Sequence, residues 1–572
     1  MQSKSSNSYF KIFWQLCQGY WRSEEKWKAL GLLAVVIGLN FAAVYLLVQI
    51  NNWYNSFYNA LQGYQEELFW PLVGEFTALA FIYIIIAVYA IYLRQMLQLK
   101  WRTWMTDRYL AEWMKEQAYY RLQVLQSDTD NPDQRISEDI NQFVSLTLQL
   151  LVGFLKEMTT LGAFAVVLWN LSGAFTVPLG GHEFVIYGYM FWFSLIYSML
   201  GTGAAHLVGR KLIGLDFDQQ RYEADFRFNM MRVRENSESI AFYRGEGPEG
   251  VGFQERFAKV IGNFWQLMRQ TKLLNFYING YAQLAVIVPL VLAAPQYFAG
   301  TMALGGLMQT ISAFGRVQDA LSYFVTSYDS IAQLAAVTRR LGSFRQHIEE
   351  VSAVENGVSR TESEDKNLGI RDLTVALPDG RELVKSLEAD FASGSSVLVM
   401  GSSGCGKSTL LRTLAGIWPY GKGELALPKE GRVLFLPQRP YLPLGSLKRA
   451  LCYPGAEIPE DEKLKEVLAK AGLAALGDKL NETDDWSRIL SLGEQQRLAF
   501  ARILLARPDW VFLDEATSAL DEDREQEMYR LLKEELPQLN IMSVGHRSTL
   551  MSQHRSKLQL DGKGGWQLSL IS

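Results

Sequence analysis

Lysine and arginine are absent from three long stretches of this 572-residue chain: residues 29–93, 157–209 and 273–315. Each stretch holds two apolar segments joined by a short connection, and a helix that crosses a lipid bilayer needs about 20 apolar residues. Each stretch therefore predicts a helical hairpin across a membrane, and the third is richer in glycine and polar residues. The six predicted spans are 29–50, 72–93, 147–168, 184–207, 278–296 and 299–317.

The basic residues lie on one side of these spans. They occur in the N-terminal arm, in 94–156 and in 210–272, whereas the connections near 51–71, 172–183 and 297 have none. Cytoplasmic loops of membrane proteins carry an excess of Lys and Arg, so we expect both termini in the cytoplasm. The first apolar run is too long for a cleavable signal peptide, and we interpret it as a membrane anchor.

The aromatic residues divide the chain into two unlike parts. Of 71 aromatic residues, 59 lie in 1–365 and only 12 in 366–572. We therefore predict an all-α, six-helix transmembrane domain over 1–345, a polar linker over 346–367 and a separate domain over 368–572. The net charge of −4 gives no support for a nucleic-acid partner, and three cysteines exclude a disulfide-stapled scaffold.

A phosphate-binding pattern opens the second part. Residues 397–400 predict a short buried strand, 401–409 read Gly-Ser-Ser-Gly-Cys-Gly-Lys-Ser-Thr, and 410–416 predict a helix. In this order of elements, backbone N–H groups and a helix N-terminus surround phosphates. Lys407 is expected to reach the terminal phosphates and Ser408 to bind Mg²⁺. The predicted phosphate-contact residues are Gly401, Ser402, Ser403, Gly404, Cys405, Gly406, Lys407, Ser408 and Thr409.

The thiol of Cys405 has two interpretations. A helix N-terminus lowers the pKa of a nearby thiol and makes it reactive, in which case a thiol reagent would inhibit and ATP would protect. Alternatively, Cys405 is only a small residue that the loop tolerates.

Further features follow the phosphate loop in a fixed order. They are Gln438 at the end of a strand over 433–437, Leu-Ser-Leu-Gly-Glu-Gln-Gln-Arg at 490–497, Trp-Val-Phe-Leu-Asp-Glu at 510–515, Ser-Ala-Leu-Asp at 518–521 and Ser-Val-Gly-His at 543–546. Gln438 is placed to meet Mg²⁺ and an attacking water. Asp514 would hold Mg²⁺, Glu515 would polarise the water as general base, and His546 would orient that water.

Together these segments resemble the nucleotide-binding domain of ATP-binding-cassette (ABC) transporters over 368–560, an α/β P-loop domain. The resemblance implies an ATPase with ATP and Mg²⁺ as cofactors. Its metal ligands would be Ser408, Gln438 and Asp514, and its catalytic residues Glu515, His546 and Gln438. It also implies nucleotide contacts from the signature segment and the segment after Glu515, through Ser491, Gly493, Glu494 and Asp521, as well as from Gln438 and His546.

In this family the signature segment acts on the nucleotide of a second chain, so ATP lies between two chains. One chain with six spans and one nucleotide site is then half of a transporter, and a symmetric homodimer is the simplest completion.

Two positions depart from the family pattern. The signature reads Leu-Ser-Leu-Gly-Glu at 490–494, and 374–378 lack the aromatic residue that usually stacks on adenine.

Three segments of the first part look like signatures of one group within the family: 53–62, 131–139 and 238–246. That group joins peroxisomal acyl-CoA transporters (ABC subfamily D) with bacterial SbmA/BacA-like and YddA-like permeases. The first segment is either functional or an interfacial aromatic belt. The second is either the start of a coupling helix or a solvated turn. The third is either a domain-contact helix or a surface helix.

The second and third of these segments belong to longer stretches, 94–146 and 208–277, whose apolar spacing predicts helices that continue the spans into the cytoplasm. For the whole chain, the resemblance implies an ATP-driven transporter in a bacterial inner membrane. It would move a bulky hydrophilic or amphipathic solute inward, such as a peptide, a peptide antibiotic or a cobalamin-like compound. Transport of lipid or fatty acyl-CoA, and an ATP-gated channel or regulator, remain open alternatives.

Overall fold

The structure is a computed structural model that describes residues 3–125, 131–179, 182–354, 357–363, 367–428, 433–455 and 457–571. The chain divides into two compact units. The helical unit comprises 1–113 and 128–347, and the α/β unit comprises 114–127 and 348–572.

Long helices build the first part of the chain. They are α1 (Ser3–Trp21), α2 (Lys26–Gln62), α3 (Glu66–Met114), α4 (Ala118–Leu125), α5 (Pro132–Gln134), α6 (Ile140–Ser172), α7 (Tyr189–Glu235), α8 (Ser237–Tyr243), α9 (Glu246–Phe298), α10 (Leu304–Thr326) and α11 (Tyr328–Ala353). A π-helical turn, Arg135–Asp139, joins α5 to α6. An antiparallel hairpin of β1 (Ala174–Leu179) and β2 (His182–Tyr187) joins α6 to α7.

Apolar side chains cover the outside of several of these helices. On α3, for example, Phe81, Ile84 and Val88 are all more than half exposed, at spacings that share one helix face. Among the described residues, five helical segments are long and apolar enough to cross a membrane: Lys26–Gln62, Glu66–Leu125, Pro132–Ser172, Tyr189–Glu235 and Glu246–Phe298. Four of the six predicted spans, 29–50, 72–93, 147–168 and 278–296, lie entirely inside these segments.

The other two predicted spans begin at the wrong residue. The span predicted over 184–207 starts in β2, and its helix begins only at Tyr189, after Gly188 takes a left-handed φ of 66°. The continuous apolar run 184–187 belongs to a strand, and periodicity alone does not distinguish such a short run from the start of a helix. The span predicted over 299–317 begins at Leu304 and is not among the five apolar segments, so a sixth crossing stays a prediction.

Helix α10 lies inside the helical unit. It packs against α2, α6, α7 and α9. Phe314 and Val317 of α10 join Phe164 and Leu168 of α6 in one buried cluster.

The predicted helical extensions are confirmed as helices. Helix α3 continues beyond its apolar segment to Met114, α7 continues to Glu235, and α9 begins at Glu246. The predicted linker over 346–367 is wrong in part, because α11 runs to Ala353 and Val358–Ser363 forms strand β3. Most side chains of this strand are polar and exposed, which is typical of a sheet edge. A prediction based on apolar residues therefore did not identify it as a strand.

The described part of the α/β unit contains two large sheets and a two-stranded sheet. Its strands are β3 (Val358–Ser363), β4 (Leu368–Ala376), β5 (Glu382–Phe391), β6 (Ser396–Gly401), β7 (Gly421–Pro428), β8 (Val433–Leu436), β9 (Gly445–Ser446), β10 (Thr483–Asp484), β11 (Trp510–Asp514), β12 (Asn540–Val544), β13 (Ser556–Leu560) and β14 (Trp566–Leu570). Its later helices are α12 (Lys407–Leu414), α13 (Leu447–Cys452), α14 (Asp461–Lys470), α15 (Trp486–Ile489), α16 (Leu492–Ala506) and α17 (Glu522–Glu535).

The main sheet has the order β14-β13-β6-β12-β11-β8, and the second has the order β3-β7-β4-β5. Strands β9 and β10 form the two-stranded sheet. Strands β6, β12, β11 and β8 pair in parallel. Strands β6, β11 and β12 are rich in buried apolar residues, as expected for strands covered on both faces, whereas β8 at the end of the sheet is mostly half-buried. The carboxyl ends of the four strands therefore meet at one edge, where α/β proteins commonly bind ligands.

Candidate functional site

The loop between β6 and α12 forms the phosphate-binding pattern. Gly404 and Gly406 have φ angles of 77° and 103°, which side chains other than glycine rarely adopt. A Cβ atom on Gly406 would also lie 2.9 Å from Leu383. The ammonium group of Lys407 is buried and donates to the carbonyl oxygens of Gly401 and Ser402, at 3.0 and 3.1 Å. The loop thus has the geometry that the sequence predicts for a phosphate cradle.

Cys405 does not face outward from this loop. Its side chain is 2% exposed and belongs to a buried cluster with Val399, Leu410 and Leu560. This packing favours the interpretation of Cys405 as a tolerated small residue over that of a reactive thiol.

Ser408 and Asp514 meet at the next strand. The Ser408 hydroxyl donates to Oδ1 of Asp514 at 2.9 Å, which joins the first turn of α12 to the end of β11. Burial raises the pKa of the Asp514 carboxyl, the Ser408 bond opposes that rise, and the charge of Glu515 adds to it. A cation beside Asp514 would relieve both effects that raise its pKa.

Glu515 lies between Gln438 and His546. Nε2 of Gln438 donates to Oε2 of Glu515 at 3.2 Å, and Nε2 of His546 lies 3.3 Å from Oε1. The backbone of Glu515 has a φ of 50°, an uncommon conformation for a residue other than glycine, and its N–H donates to Val544. Strained backbone at such a position is maintained only when surrounding contacts hold it, and it is found preferentially at functional sites.

The signature segment forms the N-terminus of α16. The Ser491 hydroxyl and backbone N–H both donate to Oε2 of Glu494, at 2.7 and 2.9 Å, and the Glu494 N–H donates back to the Ser491 hydroxyl at 3.4 Å. This reciprocal capping box explains why a glutamate can replace the commoner glutamine there. The same bonds lower the pKa of the Glu494 carboxyl.

The remaining predicted contacts lie next to this segment. Gly493 lies close to the Ala519 carbonyl, as shown by the distance of 3.3 Å that a Cβ atom on Gly493 would have to that oxygen. Asp521 caps α17, and its carboxylate accepts from the Arg524 N–H at 2.8 Å. The structure therefore brings Lys407, Ser408, Gln438, Asp514, Glu515 and His546 together at the sheet edge. It gives Ser491, Glu494 and Asp521 capping bonds at the starts of two helices.

An aromatic pair lies beside the position where the adenine-stacking residue is missing. The Trp418 indole N–H donates to the Ala376 carbonyl at 2.8 Å, and the Ala376 N–H donates to the Tyr420 carbonyl at 3.0 Å. The two rings meet edge to face at 5.5 Å. Trp418 packs on the buried core, so Tyr420 is the outer ring of the pair. Sequence analysis missed the pair because only the structure aligns the start of β7 with the end of β4.

Two family descriptions match this chain. "ABC transporter" matches residues 384–518, and "ABC transporter transmembrane region 2" matches residues 16–298. The inner membrane ABC transporter ATP-binding protein YddA of Escherichia coli K12 is 35% identical over 539 residues, covering 93% of this chain and 94% of that protein. The chain belongs to the ABC transporter family.

A more distant relative and a solved structure are also similar to this ABC transporter. The lysosomal cobalamin transporter ABCD4 of Mus musculus is 29% identical over 519 residues, covering 83% of this chain and 82% of the relative. The solved structure of a bacterial Atm1-family ABC exporter with ATP bound has a TM-score of 0.72 at 16% identity and covers 95% of each chain. The exporter fold, with a helical transmembrane domain and an α/β nucleotide-binding domain, is confirmed. The chain is an ATP-using membrane transporter whose ATPase is coupled to transport.

The segment 53–62 of this transporter has two distinct faces. Its aromatic face lies on α3: the Trp53 indole N–H donates to the Leu72 carbonyl at 2.7 Å, and its ring meets that of Phe76 with centroids 4.7 Å apart. Its amide face lies on α10. The Asn55 side chain donates to Oε1 of Gln309 at 2.7 Å. The segment is therefore packed on both faces, and a simple interfacial belt does not describe it.

Side chains of α2 also cap the N-terminus of α10. The Leu304 N–H donates to Oε1 of Gln62, and the Gly305 N–H donates to Oδ1 of Asn59, both at 2.8 Å. A Cβ atom on Gly305 would lie 2.0 Å from the Asn55 carbonyl oxygen, so only glycine permits this approach. We call Asn51, Asn52, Asn55, Asn59 and Gln62 the amide face of α2. Its spacing along the helix was the available sequence signal, and sequence analysis missed it.

The segment 131–139 ends in a buried ion cluster. Asp139 is 1% and Arg135 6% exposed, and Nη1 of Arg135 lies 2.5 Å from Oδ2 of Asp139. Arg340 of α11 donates from Nε and Nη2 to the two Asp139 oxygens, at 2.8 and 2.6 Å. A solvated turn is therefore the wrong interpretation of this segment's end, because the π-helical turn is tied to α11 by charge.

The segment 238–246 contains the short helix α8. Helix α8 follows α7 and ends at Tyr243; the next residue, Arg244, has a left-handed φ of 53° and caps the helix before α9 begins. Phe242 and Tyr243 are 81% and 87% exposed at its end. Adjacent exposed aromatic side chains are typical of a surface that contacts another protein domain.

Proposed function

We propose that this chain works as a homodimeric half-transporter in a bacterial inner membrane, with both termini in the cytoplasm. ATP hydrolysis at the edge of the main sheet moves a bulky hydrophilic or amphipathic solute inward. The observation that carries the hydrolytic part is the placement of the Glu515 carboxylate between Gln438 and His546. A carboxylate held in this way can take a proton from a water that attacks the γ-phosphate.

Each neighbour of Glu515 has a separate task in this proposal. Lys407 leaves the loop carbonyls to bind the terminal phosphates, since phosphate oxygens are stronger acceptors for an ammonium group. His546 orients the attacking water and contacts the γ-phosphate. Ser491 and Gly493 present the N-terminus of α16 to the nucleotide of the second chain, where the helix dipole favours an anion.

Ser408, Asp514 and Gln438 are the proposed Mg²⁺ ligands. The Ser408 and Asp514 side chains are oxygen donors in direct contact, and Mg²⁺ is usually held by one or two carboxylates together with substrate phosphates. Gln438 turns its amide nitrogen toward Glu515, which leaves its amide oxygen for the metal. When bound, Mg²⁺ neutralises charge on the phosphates.

Tyr420 is the proposed aromatic contact of the adenine base. Its ring stands outside Trp418 at the end of β4, beside the position where the family pattern has an aromatic residue. We expect Tyr420→Ala to raise KM for ATP about three- to tenfold, the effect of losing one stacking contact, and Tyr420→Phe to leave it unchanged. Tyr441→Ala, at an exposed tyrosine of the α/β unit, is the control, whereas Tyr420 is half-buried. Equal KM values in Tyr420→Ala and wild type would contradict this contact.

Helix α8 is proposed to be a domain-contact helix, the first of the two interpretations of the segment 238–246. The exposed Phe242 and Tyr243 side chains support this role. Replacing both with serine should leave ATP binding intact and reduce transport per ATP hydrolysed. An unchanged transport ratio would contradict it.

The solute class rests on relatedness and on the polarity of the helical unit. The relative ABCD4 is named a cobalamin transporter, and cobalamin is a bulky solute with many amide groups. The amide face of α2 offers the complementary donors and acceptors once the bonds to Gln309 open. This second point favours a hydrophilic or amphipathic solute over an acyl chain.

A transport panel tests the solute class. The purified protein is inserted into vesicles of known orientation, and labelled cobalamin, a cationic peptide and an acyl-CoA are offered separately. We expect ATP-dependent movement of cobalamin or the peptide in the inward direction. Movement of acyl-CoA alone would replace the proposed class, outward movement would reverse the proposed direction, and movement of none would remove the solute proposal while leaving the ATPase intact.

A further inference from the structure

Gln496 joins α16 to two loops of the hydrolytic site. Its side chain is fully buried in the second turn of the helix. Nε2 donates to the Gln438 carbonyl at 3.0 Å and to the Ser518 hydroxyl at 3.2 Å. Oε1 accepts from the Ala519 N–H at 3.0 Å. All three partners of this amide lie outside its own helix.

Both loops lead directly to Glu515. The first reaches the carboxylate, because the Gln438 side chain donates to Oε2 at 3.2 Å. The second reaches the backbone, because the Ser518 N–H donates to the Glu515 carbonyl at 3.0 Å. One buried amide therefore restrains the two segments that hold the side chain and the main chain of Glu515.

The backbone of Glu515 needs such restraint. Its φ of 50° is costly for a residue with a side chain, and a costly conformation persists only when neighbouring contacts impose it. An amide suits the task because it supplies a donor and an acceptor at once, and because a buried amide that loses its partners is destabilised. The fold therefore favours keeping all three hydrogen bonds of the Gln496 amide together.

Arg547 supports the same loop from the other side. It follows His546, and its Nη1 and Nη2 donate to the carbonyl oxygens of Leu520 and Ser518, at 2.7 and 3.2 Å. Its guanidinium lies 3.7 Å from the buried Glu525 carboxylate. The segment 518–521 is thus held by Gln496 of α16 and by Arg547, which follows His546. Its position is therefore linked to Gln438 and His546, the two side chains that contact Glu515.

We propose that Gln496 is a positioning residue for ATP hydrolysis, which acts through Gln438 and Ser518 to keep the Glu515 carboxylate aimed at the attacking water. The inference rests on the proposed role of Glu515. It also gives α16, whose first turn carries Ser491, a direct mechanical connection to the general base of the same chain. Loss of the connection lowers the rate of the chemical step while nucleotide binding is retained.

The neighbouring Gln495 is a matched control. It has the same side chain on the same helix, but its Nε2 donates to the carbonyl oxygens of Ser487 and Leu490, both at 2.8 Å, in the segment that precedes the helix. Replacing Gln495 therefore removes amide bonds of α16 without releasing Gln438 or Ser518.

The test measures kcat and KM for ATP in the purified full-length protein. We expect Gln496→Met to lower kcat about 10- to 100-fold, the cost of a small misplacement of a catalytic group, with KM for ATP changed less than threefold. Gln495→Met should keep kcat within twofold of wild type. Equal kcat values in the two variants, or a loss confined to KM, would overturn the inference.

A second variant separates positioning from folding. In Gln496→Glu the introduced carboxyl accepts from the Ala519 N–H at every pH but donates only when protonated, and burial raises its pKa. We expect kcat of this variant relative to wild type to rise as pH falls from 8.5 to 6. A flat ratio would overturn the inference, and this measurement still applies if Gln496→Met does not fold. Normal hydrolysis in Glu515→Gln would instead remove the proposed function on which the inference rests.

Discussion

The polar side chains of the two units find their hydrogen-bond partners in different surroundings. In the α/β unit the large apolar side chains are inside, and the reactive groups Glu515 and His546 lie at a partly open sheet edge. In the helical unit, apolar side chains such as Phe81 face outward, and the amide face of α2 is turned toward α10. Water can supply hydrogen bonds at the sheet edge, whereas inside a bilayer every polar group needs a partner within the protein.

This difference predicts where single substitutions act. At the sheet edge a substitution changes a rate, because the fold does not depend on Glu515 or Gln438. Between helices it changes stability, because each polar side chain holds two helices at a fixed distance. The four predictions below test that division, beginning with the largest expected effect.

The first substitution removes the proposed general base. Glu515→Gln should lower kcat for ATP by about 100- to 10,000-fold, the usual contribution of a general base, while ATP binding and the unfolding midpoint stay unchanged. Glu522→Gln, at an exposed first-turn position of α17, is the control. ATPase rates and nucleotide affinity are measured on the same preparations, and normal turnover in Glu515→Gln would end the assignment.

The second substitution removes a buried charge from the helical unit. Asp139→Asn takes away the negative charge that Arg135 and Arg340 share. Breaking a buried ion pair costs about 3–5 kcal/mol, so we expect a clear fall in the free energy of unfolding. Glu138→Gln changes the exposed neighbour and should cost less than about 0.5 kcal/mol. Equal unfolding midpoints in the two variants would contradict the claim that polar side chains between helices control stability.

The third prediction uses pH. Burial lowers the pKa of His554 to about 4, and its two ring nitrogens are bonded to the Leu550 carbonyl and the Ser543 hydroxyl. The unfolded chain takes up a proton below about pH 6.5, but the folded chain does so only near pH 4. Stability is therefore complete above pH 6.5 and decreases by about 3 kcal/mol as pH falls toward 4.

His554→Gln should remove this part of the pH dependence, whereas His546→Gln, which changes a half-exposed histidine, should retain it. Thermal unfolding of the full-length protein between pH 7 and pH 4 measures the slope. The same slope in His554→Gln and wild type would contradict the assignment to His554.

The fourth substitution tests the close approach of α2 and α10. Gly305→Ala places a methyl group against the Asn55 carbonyl oxygen, which should cost about 1–3 kcal/mol of stability. Gly315→Ala in the same helix meets nothing within 4 Å and should stabilise slightly through helix propensity. If both variants unfold at the same temperature, the amide face does not control this helix contact.

The sequence predicted the sheet edge far better than the helix contacts. Local patterns located the site residues, because Lys407 and Ser408 follow the apolar strand β6 and Asp514 and Glu515 lie at the end of the apolar strand β11. Parallel pairing of β6, β12 and β11 then brings them together. The amide face could not be interpreted in this way. The spacing of its amides marks a polar helix face, but the partner Gln309 lies 254 residues from Asn55, so local sequence does not reveal which helix this face contacts.

The errors of prediction have the same origin. Residues 184–187 were misassigned because the apolar composition of a strand in a local hairpin resembles that of a span. Residues 358–363 were misassigned because a polar strand that pairs with a distant strand resembles a linker when only composition is counted. Gln496 and Tyr420 were missed because their roles depend on what lies beside them in space. The roles of the site residues, the dimer and the orientation of the termini stay predictions.

The central claim is that hydrolysis at Glu515 drives movement of solute through the helical unit. The most direct measurement follows the ratio of solute concentrations across sealed vesicles while ATP hydrolysis is recorded in the same sample. We expect the wild-type protein to raise this ratio above one and Glu515→Gln to leave it at one, although both bind ATP. The same ratio in both proteins, or a ratio of one in wild-type vesicles that hydrolyse ATP, would contradict the account.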